Sequence, residues 1–434
     1  MPDTATKTVS FSTLGCRLNQ AESDSMAEEL ATAGLAQAPD GTSPDVVVIN
    51  TCTVTREATK ASRMAIRRAA RANPDAKIVV VGCYAVSDPE EVAAIDGVDL
   101  VLGNDAKEDF VNALSSGVAT RPLLTIGMRP AASTGAVQRV RANLKAQTGC
   151  DEWCSFCIIP RTRGLLRSMD EDALVRDARA RVGAGAREIV LTGVHLGKYR
   201  YDQAGDERDL VRLFRRLLDI PGLQRLRLSS ILSRHLTDDV VAFMASESRT
   251  CRYLHVPLQS GDDGVLEAMH RPYRIDDYVE SVERAKAALP GLALATDIIV
   301  GFPGESERAF EATMDVVRRL QYSKLHVFRY SARPGTAAAS MTDEIPPDVK
   351  KDRSKRLIDL GNEIRRRFLA DHLARPLEVL VEDERVVDGV SVCSGQTDDY
   401  VRVWFEGAGL LGDIVEVEAY DIRADGLKAR ARRL

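Results

Sequence analysis

Short apolar runs alternate with amphipathic stretches along most of this chain, and that alternation restricts the fold more than any other feature. Strands that alternate with helices form parallel sheets, because each helix carries the chain back across the sheet by a right-handed crossover. The sequence therefore predicts an N-terminal α/β domain. Its predicted strands lie at residues 8–14, 46–50, 78–81 and 98–102, and its predicted helices include 23–33 and 59–72.

A second series of strands and helices follows a Gly-, Pro- and Ser-rich segment at residues 115–136, which we interpret as a linker. Six strand–helix units fit a partial barrel, short of the eight units of a complete one. The predicted strands lie at 139–146, 188–192, 226–230, 253–256, 294–300 and 325–328, with helices such as 170–183 and 276–288 between them.

The last part of the chain changes character. A basic helical segment at 347–373 precedes three runs with strand-like alternation at 378–381, 400–405 and 414–419. Short alternating strands at a chain terminus are typical of a small β-barrel. The fold class is thus α/β, and the predicted domains are 6–118, 136–366 and 369–434.

Length and composition narrow the class of protein. The 434 residues are 44% hydrophobic and 28% charged, as in globular proteins of two or three domains. The polar first ten residues lack a secretory signal, and no run approaches the ~18 apolar residues of a membrane span, so we expect a cytoplasmic protein. A net charge of −5 neither indicates nor excludes nucleic acid, because binding depends on where the basic residues lie.

Cys150, Cys154 and Cys157 follow the first predicted barrel strand, in GCDEWCSFCIIP. Clustered cysteines in a large cytoplasmic protein favour metal over disulfides, and soft thiolates select zinc, copper(I) or iron–sulfur clusters. A structural zinc site needs a fourth ligand, and none is close in sequence. Three close thiolates can instead hold three irons of a cubane and leave the fourth open to the amino and carboxylate groups of S-adenosylmethionine (SAM).

Cys16, Cys52 and Cys83 are far apart in sequence, yet each follows an apolar strand. Parallel strands end on one edge of their sheet, so these thiols can converge there, and the intervals of 36 and 31 residues each match one strand–helix–strand unit. We predict a second three-cysteine cluster; the alternative is three buried cysteines at strand ends. Cys251 and Cys393 have no such setting and are interpreted as structural.

Over nearly its whole length the chain resembles the methylthiotransferase family of radical SAM enzymes. The matching segments begin with LGCRLNQAES around Cys16, NTCTVTREATKASR around Cys52, VGCY around Cys83, and GCDEWCSFCIIPRTRG. They continue through EIVLTGVHLGKY, LRLSSI, LHVPLQSGDDGVLEAMHRPY, TDIIVGFPGE and HVFRYSARPGT. The resemblance implies an N-terminal methylthiotransferase domain, a radical SAM core that is a partial (β/α)6 barrel, and a TRAM barrel associated with RNA contact.

The same resemblance implies two [4Fe-4S] clusters and SAM as cofactors. Cys150, Cys154 and Cys157 would ligate the cluster that cleaves SAM to a 5′-deoxyadenosyl radical. Cys16, Cys52 and Cys83 would ligate an auxiliary cluster that presents the sulfur to be inserted. In the family's tRNA substrates, the bond that this radical activates is the C2–H bond of an adenine. Such a bond is poorly suited to acid–base chemistry, which explains the need for a cofactor radical.

The words NTCTVT, TGVHLG and HRPY are most similar to the branch that acts on N6-threonylcarbamoyladenosine beside the tRNA anticodon. The implied product is 2-methylthio-N6-threonylcarbamoyladenosine. Alternatives of the same chemistry are isopentenyladenosine in tRNA and a ribosomal-protein aspartate. An alternative of another class is a non-catalytic RNA-binding iron–sulfur scaffold. We expect a small-protein or flavin electron donor, whereas the sequence identifies no sulfur donor.

Residues at the ends of the predicted barrel strands are candidates for SAM contacts, because those loops form the active-site face of a barrel. By resemblance, Gly301 and Pro303 of GFPGE lie against the adenine; the alternative is a plain glycine turn. The further candidates are Thr192 and Gly193 for the methionine amino group, and Ser229 and Ser230 for the ribose or carboxylate.

Two histidines, His195 and His255, also lie near predicted strand ends, where a role in the site and a structural role are both open. Several positions depart from the family pattern, among them Arg161 and Thr162, which replace a more common aromatic-containing pair. Leu232 and Ser233 stand where Glu-Pro is common after LSSI, and Arg329 stands where proline is usual. None of these departures removes a predicted cluster ligand.

Overall fold

The computed structural model describes residues 7–39, 41–116, 139–206 and 208–432, and these form two compact units. The first unit comprises the chain up to Gln138 together with Thr148–Glu152 and Cys157–Leu166. The second comprises Arg139–Gln147, Trp153–Phe156 and Arg167–Leu434. The predicted linker at 115–136 lies almost wholly outside the described residues, so the three predicted domain boundaries stay predictions.

The first unit is the predicted parallel α/β domain. Its five strands are all parallel and have the order β2-β1-β3-β4-β5. The strands are β1 (Thr8–Thr13), β2 (Ala36–Gln37), β3 (Val46–Thr51), β4 (Lys77–Gly82) and β5 (Leu100–Val101). The helices are α1 (Arg17–Thr32), α2 (Arg56–Ala72), α3 (Cys83–Ser87), α4 (Pro89–Ala93), α5 (Phe110–Ser116) and α6 (Ile159–Arg163).

The sheet of this unit is covered on both faces, which explains its unbroken apolar runs. Every residue of β3 is buried. Val46 and Val48 belong to one hydrophobic core, whereas Val47 and Ile49 belong to another on the opposite face. The alternation of side chains along a strand therefore feeds two helical layers from one sequence.

The barrel of the second unit contains six parallel strands in sequence order, as predicted. They form two sheets, β10-β9-β6 and β11-β12-β13, which isolated parallel bridges join at Leu226–Thr250 and Ser230–His255. The six barrel strands are β6 (Arg141–Lys145), β9 (Glu188–Thr192), β10 (Arg225–Leu228), β11 (Tyr253–His255), β12 (Ala293–Val300) and β13 (Lys324–Arg329). The short strands β7 (Gln147–Thr148) and β8 (Arg167–Ser168) lie outside these two sheets.

Helices surround these strands and cover their outer face. They are α7 (Glu171–Gly183), α8 (Arg208–Leu218), α9 (Asp238–Ser246), α10 (Asp263–Ala268), α11 (Ile275–Ala288), α12 (Glu307–Leu320) and α13 (Pro347–Ala370). Leu191, Leu228 and Leu254 point into the main core with the helices. The residues that alternate with them face the other way, so polar strand residues gather on the inner face.

The C-terminal part is a closed barrel of five strands, and it confirms the predicted small β-barrel. Its order is β14-β15-β16-β18-β17, around a separate core that includes Val379, Val403 and Leu427. The strands are β14 (Pro376–Val387), β15 (Val390–Gln396), β16 (Arg402–Glu406), β17 (Ile414–Arg423) and β18 (Gly426–Ala431). Strands β15 and β18 are additions to the three predicted runs.

Two arginines of β10 attach this small barrel to the base of the larger one. Arg227 is fully buried and donates hydrogen bonds to the carbonyl oxygens of Asp398 (2.8 Å) and Thr397 (3.1 Å). Arg225 donates to the carbonyl oxygens of Gln396 (2.9 Å) and Glu378 (3.0 Å). The two barrels of the second unit are thus joined through backbone groups. In the described part of the chain, no helix combines the length and hydropathy needed to cross a membrane.

Candidate functional site

The cysteines of the first unit stand at the carboxyl ends of three neighbouring strands, as the sequence predicts. Cys16 is the N-cap of α1 after β1, Cys52 directly follows β3, and Cys83 begins α3 after β4. A β-carbon added to Gly15, whose φ is +93°, would lie 2.6 Å from Cβ of Cys52. Only glycine therefore lets the β1 turn approach the Cys52 side chain.

The pKa of Cys52 responds to the two other thiols of this unit. Burial raises the pKa of Cys52 from 9.0 to about 11, and the charges of Cys83 and Cys16 add to that rise. Among the described residues, these sulfurs do not form a group of three ligand atoms within 4.8 Å of one another. A polynuclear cluster binds each thiolate through a different iron, so wider spacing fits a cluster better than a single ion.

A buried ion cluster that was not predicted from the sequence lies beside these thiols. Arg163 donates to both carboxylate oxygens of Glu22, at 2.8 and 3.1 Å, and also to the amide oxygen of Asn19. Lys107 donates to the same carboxylate at 2.7 Å. All four side chains are nine-tenths or more buried. Two cations thus share one carboxylate next to the cysteines.

This cluster sets the charge around the thiols. Burial works against the charged form of Arg163, but Glu22 and the thiols of Cys83 and Cys16 outweigh it and raise the pKa of Arg163 above its ordinary value. Burial lowers the pKa of Lys107, with Glu22 opposing the shift. The charge of Arg163 opposes part of the rise in the pKa of Cys52, and the thiolate is the form of cysteine that binds iron.

The cysteines of the CxxxCxxC segment are divided between the two units: Cys150 and Cys157 belong to the first, and Cys154 belongs to the second. Cys154 is buried, and its Sγ accepts a hydrogen bond from Nη1 of Arg271 at 3.3 Å. The Sγ of Cys150 accepts one from the backbone N–H of Glu152 at 3.4 Å. Donors aimed at sulfur stabilise thiolate charge and tune a bound cluster. All eight cysteines are free thiols.

The predicted SAM contacts lie at strand ends of the second unit. Thr192 is the buried last residue of β9, and a β-carbon on Gly193 would lie 3.0 Å from Oε1 of Gln147. Ser229 directly follows β10, and its buried Oγ has no hydrogen-bond partner among the described residues. Ser230 forms a parallel bridge with His255. An unsatisfied buried hydroxyl is a position that a bound polar ligand can complete.

Gly301 and Pro303 follow β12. Gly301 has φ +71° and donates its N–H to Glu305 at 2.7 Å, and a β-carbon there would lie 2.3 Å from Cγ of Lys350. Pro303 lines an open cleft of about 490 Å³ with Ser306 and Arg308. Such a volume is in the range of small-molecule sites. The position after a barrel strand agrees with the prediction, and contact with adenine stays a prediction.

Of the remaining residues named from the sequence, His195, Cys251 and Cys393 are buried, whereas Arg329 is exposed. His195 is buried, and its backbone N–H donates to Oε1 of Gln147 at 2.7 Å. Cys251 is buried with its Sγ 3.9 Å from Oε2 of Glu188, and its pKa is raised by that burial. Cys393 lies in the core of the small barrel, 3.3 Å from the carbonyl oxygen of Gly407. Arg329 ends β13 with an exposed side chain.

Four charged residues that contact these cysteines or their neighbours were not predicted from the sequence: Arg163, Glu22, Lys107 and Arg271. Arg163 and Glu22 do stand inside the quoted words IIPRTRG and LNQAES, next to predicted ligands.

Comparison with known proteins covers both units. The family model described as "Uncharacterized protein family UPF0004" matches residues 8–103, and that of the "Radical SAM superfamily" matches residues 144–317. The chain is also similar to the radical SAM methyltransferase TsrM of Kitasatospora setae, solved with cobalamin and a [4Fe-4S] cluster. That likeness has a TM-score of 0.56 at 16% identity over 77% of each chain, and it concerns the fold alone.

Curated relatives match almost end to end. Threonylcarbamoyladenosine tRNA methylthiotransferase MtaB of Bacillus subtilis is 38% identical over 95% of this chain and 93% of that protein. The MtaB protein of Thermotoga maritima is 34% identical over 97% of this chain and 96% of its own length. The tRNA-2-methylthio-N(6)-dimethylallyladenosine synthase of Erythrobacter litoralis is 34% identical over 98% and 97%, respectively.

Proposed function

The chain belongs to the radical SAM methylthiotransferase family, and from this premise we propose that it converts N6-threonylcarbamoyladenosine beside the tRNA anticodon to its 2-methylthio derivative. It is a transferase that uses [4Fe-4S] clusters and SAM, as its family does. The observation that carries the proposal is the gathering of Cys16, Cys52 and Cys83 at one sheet edge. The choice of substrate follows the MtaB relative at 38% identity.

The two cysteine sets have different roles in this proposal. Cys150, Cys154 and Cys157 hold the cluster that binds SAM, and Cys16, Cys52 and Cys83 hold the auxiliary cluster. When bound, the clusters supply the electron that cleaves SAM and the sulfur that is transferred. Arg271 stabilises the Cys154 thiolate by its 3.3 Å hydrogen bond, and Arg163 places positive charge beside Cys83 and Cys16.

The strand ends of the second unit orient SAM. Ser229 donates to a ribose or carboxylate oxygen in this proposal, and the support is its buried hydroxyl, which has no hydrogen-bond partner among the described residues. In this proposal Gly301, which follows β12, lies against the adenine, as in the family that the chain resembles. Thr192 and Gly193 bind the methionine amino group, Ser230 joins Ser229 at the ribose or carboxylate, and Pro303 packs against the adenine.

The small barrel is proposed to act as a TRAM module that contacts tRNA. Its surface has cations over aromatic rings: the guanidinium of Arg423 lies 4.5 Å from the centre of the Trp404 ring, and that of Arg430 lies 4.8 Å from the centre of the Tyr420 ring. Arginine and aromatic faces are the groups on which single-stranded bases stack. We further propose a cytoplasmic location and a small-protein or flavin electron donor.

The direct test expresses this chain in a bacterial host that lacks its own methylthiotransferases and compares the nucleosides of digested tRNA. We expect 2-methylthio-N6-threonylcarbamoyladenosine to appear. Appearance of only the dimethylallyl analogue would assign the second candidate, which the relative from Erythrobacter litoralis at 34% identity supports. If neither product appears, and the protein also forms no 5′-deoxyadenosine with dithionite and SAM, the result favours a non-catalytic scaffold.

Iron content tests the two cysteine sets separately. After anaerobic reconstitution, a Cys150→Ala, Cys154→Ala, Cys157→Ala variant should keep about half of its iron, because the auxiliary cluster has its own ligands. The matched variant with Cys16→Ala, Cys52→Ala and Cys83→Ala should also keep about half. Near-complete loss of iron from either variant would contradict two independent clusters.

A further inference from the structure

Three adjacent strands of the second unit present a histidine, an aspartate and a histidine on one face. Paired residues of parallel strands point to the same side, and β11 pairs His255 with Ala295 of β12. Asp297 lies two residues further along β12, so it shares that face, and it pairs with His326 of β13. The sheet register alone thus gathers the three side chains.

Their ligand atoms are close together. One nitrogen of each imidazole and one oxygen of the Asp297 carboxylate all lie within 4.8 Å of one another. The two rings are stacked, with an interplanar angle of 8° and centres 5.5 Å apart. All three residues are half-buried, so their charge and polarity are only partly screened by water.

The contact between His255 and Asp297 is short but poorly aligned for a hydrogen bond. Nε2 of His255 lies 3.1 Å from Oδ1 of Asp297, yet this buried nitrogen forms no aligned hydrogen bond with any described residue. Ligands about 2.0–2.2 Å from one tetrahedral ion are separated by about 3.3–3.6 Å, only slightly more than this contact. Two atoms that converge at this distance without sharing a proton have the arrangement of neighbouring ligands.

The same face is apolar on the side toward the small barrel. Tyr253, Ala293 and Ala295 stand on it and pack with Phe368 and Tyr400. The three polar side chains therefore lie next to an apolar cluster on the same face of the sheet, which limits the access of water from that side. A half-buried carboxylate between two imidazoles is stabilised when a cation occupies the space between them.

We propose that His255, Asp297 and His326 form a mononuclear site for a divalent transition-metal ion, distinct from the cysteine-ligated clusters. Two imidazoles and one carboxylate are borderline ligands that suit Fe²⁺, Co²⁺, Ni²⁺ or Zn²⁺, whereas thiolates select iron–sulfur clusters. Three protein ligands leave coordination positions open, as in metal sites that bind an oxygen or nitrogen ligand from outside the chain. The proposed methylthiolation does not depend on this site.

The experiment uses the reconstituted holoenzyme, in which iron already occupies the proposed cluster cysteines, and Co²⁺ as the probe. Anaerobic equilibrium dialysis followed by elemental analysis should find one Co²⁺ per chain, with the electron paramagnetic resonance signal of high-spin Co²⁺. His326→Asn and Asp297→Asn should each weaken binding by more than about 100-fold, since each removes a ligand.

His270→Asn is the matched control, because His270 is an exposed histidine of the same unit that contacts the backbone oxygen of Trp153. It should bind Co²⁺ like the unaltered protein. Iron content and the thermal midpoint identify a variant that is misfolded, in which case His326→Gln replaces it. Absence of Co²⁺ uptake, or equal uptake by His326→Asn and the unaltered protein, would overturn the metal site and leave an ordinary His–Asp ion pair.

Discussion

Each unit of the molecule contains one buried arginine–glutamate pair beside a cysteine, and the two pairs serve different ends. In the first unit Arg163 binds Glu22 at 2.8 Å, and its electrostatic neighbours include Cys83. In the second unit Arg227 binds Glu188 at 2.6 Å, and Cys251 lies next to that carboxylate. The residue types and the burial are nearly the same.

The partners beyond each pair make the difference. The remaining donors of Arg227 are taken up by the carbonyl oxygens of Thr397 and Asp398, so its guanidinium connects two barrels. Arg163 has a second cation, Lys107, on the other side of its glutamate and thiols around it. A buried pair that ends on backbone groups is a structural link, whereas one that ends on thiols sets the charge of a site.

Cysteine replacement should separate the two regions most strongly. Cys52→Ala should abolish the methylthiolated nucleoside, because it removes a proposed ligand of the proposed auxiliary cluster. Cys251→Ala should retain activity within about twofold and lose only packing energy. The measurement is nucleoside analysis together with iron content. Equal loss of product in both variants, with Cys251→Ala fully folded, would show that the comparison is wrong.

Arginine replacement should reveal the next largest difference, in stability. Arg227→Met leaves Glu188 buried without its partner and frees two carbonyl groups, so the free energy of unfolding should fall by about 3–5 kcal/mol. Arg163→Met leaves Lys107 on Glu22 and should cost only about 1–3 kcal/mol. Denaturant unfolding of the metal-free proteins measures both losses.

A double variant controls for that stability experiment. Arg227→Met combined with Glu188→Leu removes the uncompensated charge and should recover part of the loss. If Arg163→Met proves as destabilising as Arg227→Met, the second cation does not protect Glu22, and the distinction between the pairs disappears.

Thiol reactivity should show the smallest difference. A thiol whose pKa is about 11 instead of 9.0 contains about 100-fold less thiolate at neutral to mildly alkaline pH. Alkylation of Cys52 in the metal-free protein should therefore be slow and should rise about tenfold for each pH unit up to about 10. Peptide mass spectrometry after iodoacetamide treatment at several pH values gives these rates.

Arg163→Met sharpens the reactivity experiment. The charge of Arg163 lowers the pKa of Cys52, so its removal should raise that pKa further and slow alkylation at fixed pH. A rate in the unaltered protein that levels off near pH 9 would instead mean that burial does not hold Cys52 as a thiol.

The sequence predicted the framework well where side chains are buried on both faces. The strand at Glu188–Thr192 was predicted with its observed bounds, because a short, mostly apolar run between two helical patterns indicates a strand that is buried on both faces. Strands β15 and β18 were missed. In β18, Leu427 and Ala429 point inward between charged neighbours, and its basic composition concealed that pattern.

The candidate site was predictable only in part for a related reason. The cysteines have a recognisable spacing and place on strands. Glu22 and Arg163 are 141 positions apart, and Glu22 and Lys107 are 85 apart, so no local pattern joins them. Single charged residues are usually solvent-exposed, and only tertiary structure shows which of them are buried together.

The attachment of the small barrel through Arg225 and Arg227 has a consequence for substrate choice. Two surfaces joined by a flexible tether can adjust to many ligands, but they lose effective concentration as the tether lengthens. Here the joint consists of hydrogen bonds from buried side chains to backbone oxygens, so the spacing between the barrels is fixed before any RNA binds. A nucleic acid that engages both must already match that spacing or bend to it, and the energy of that deformation then becomes part of specificity.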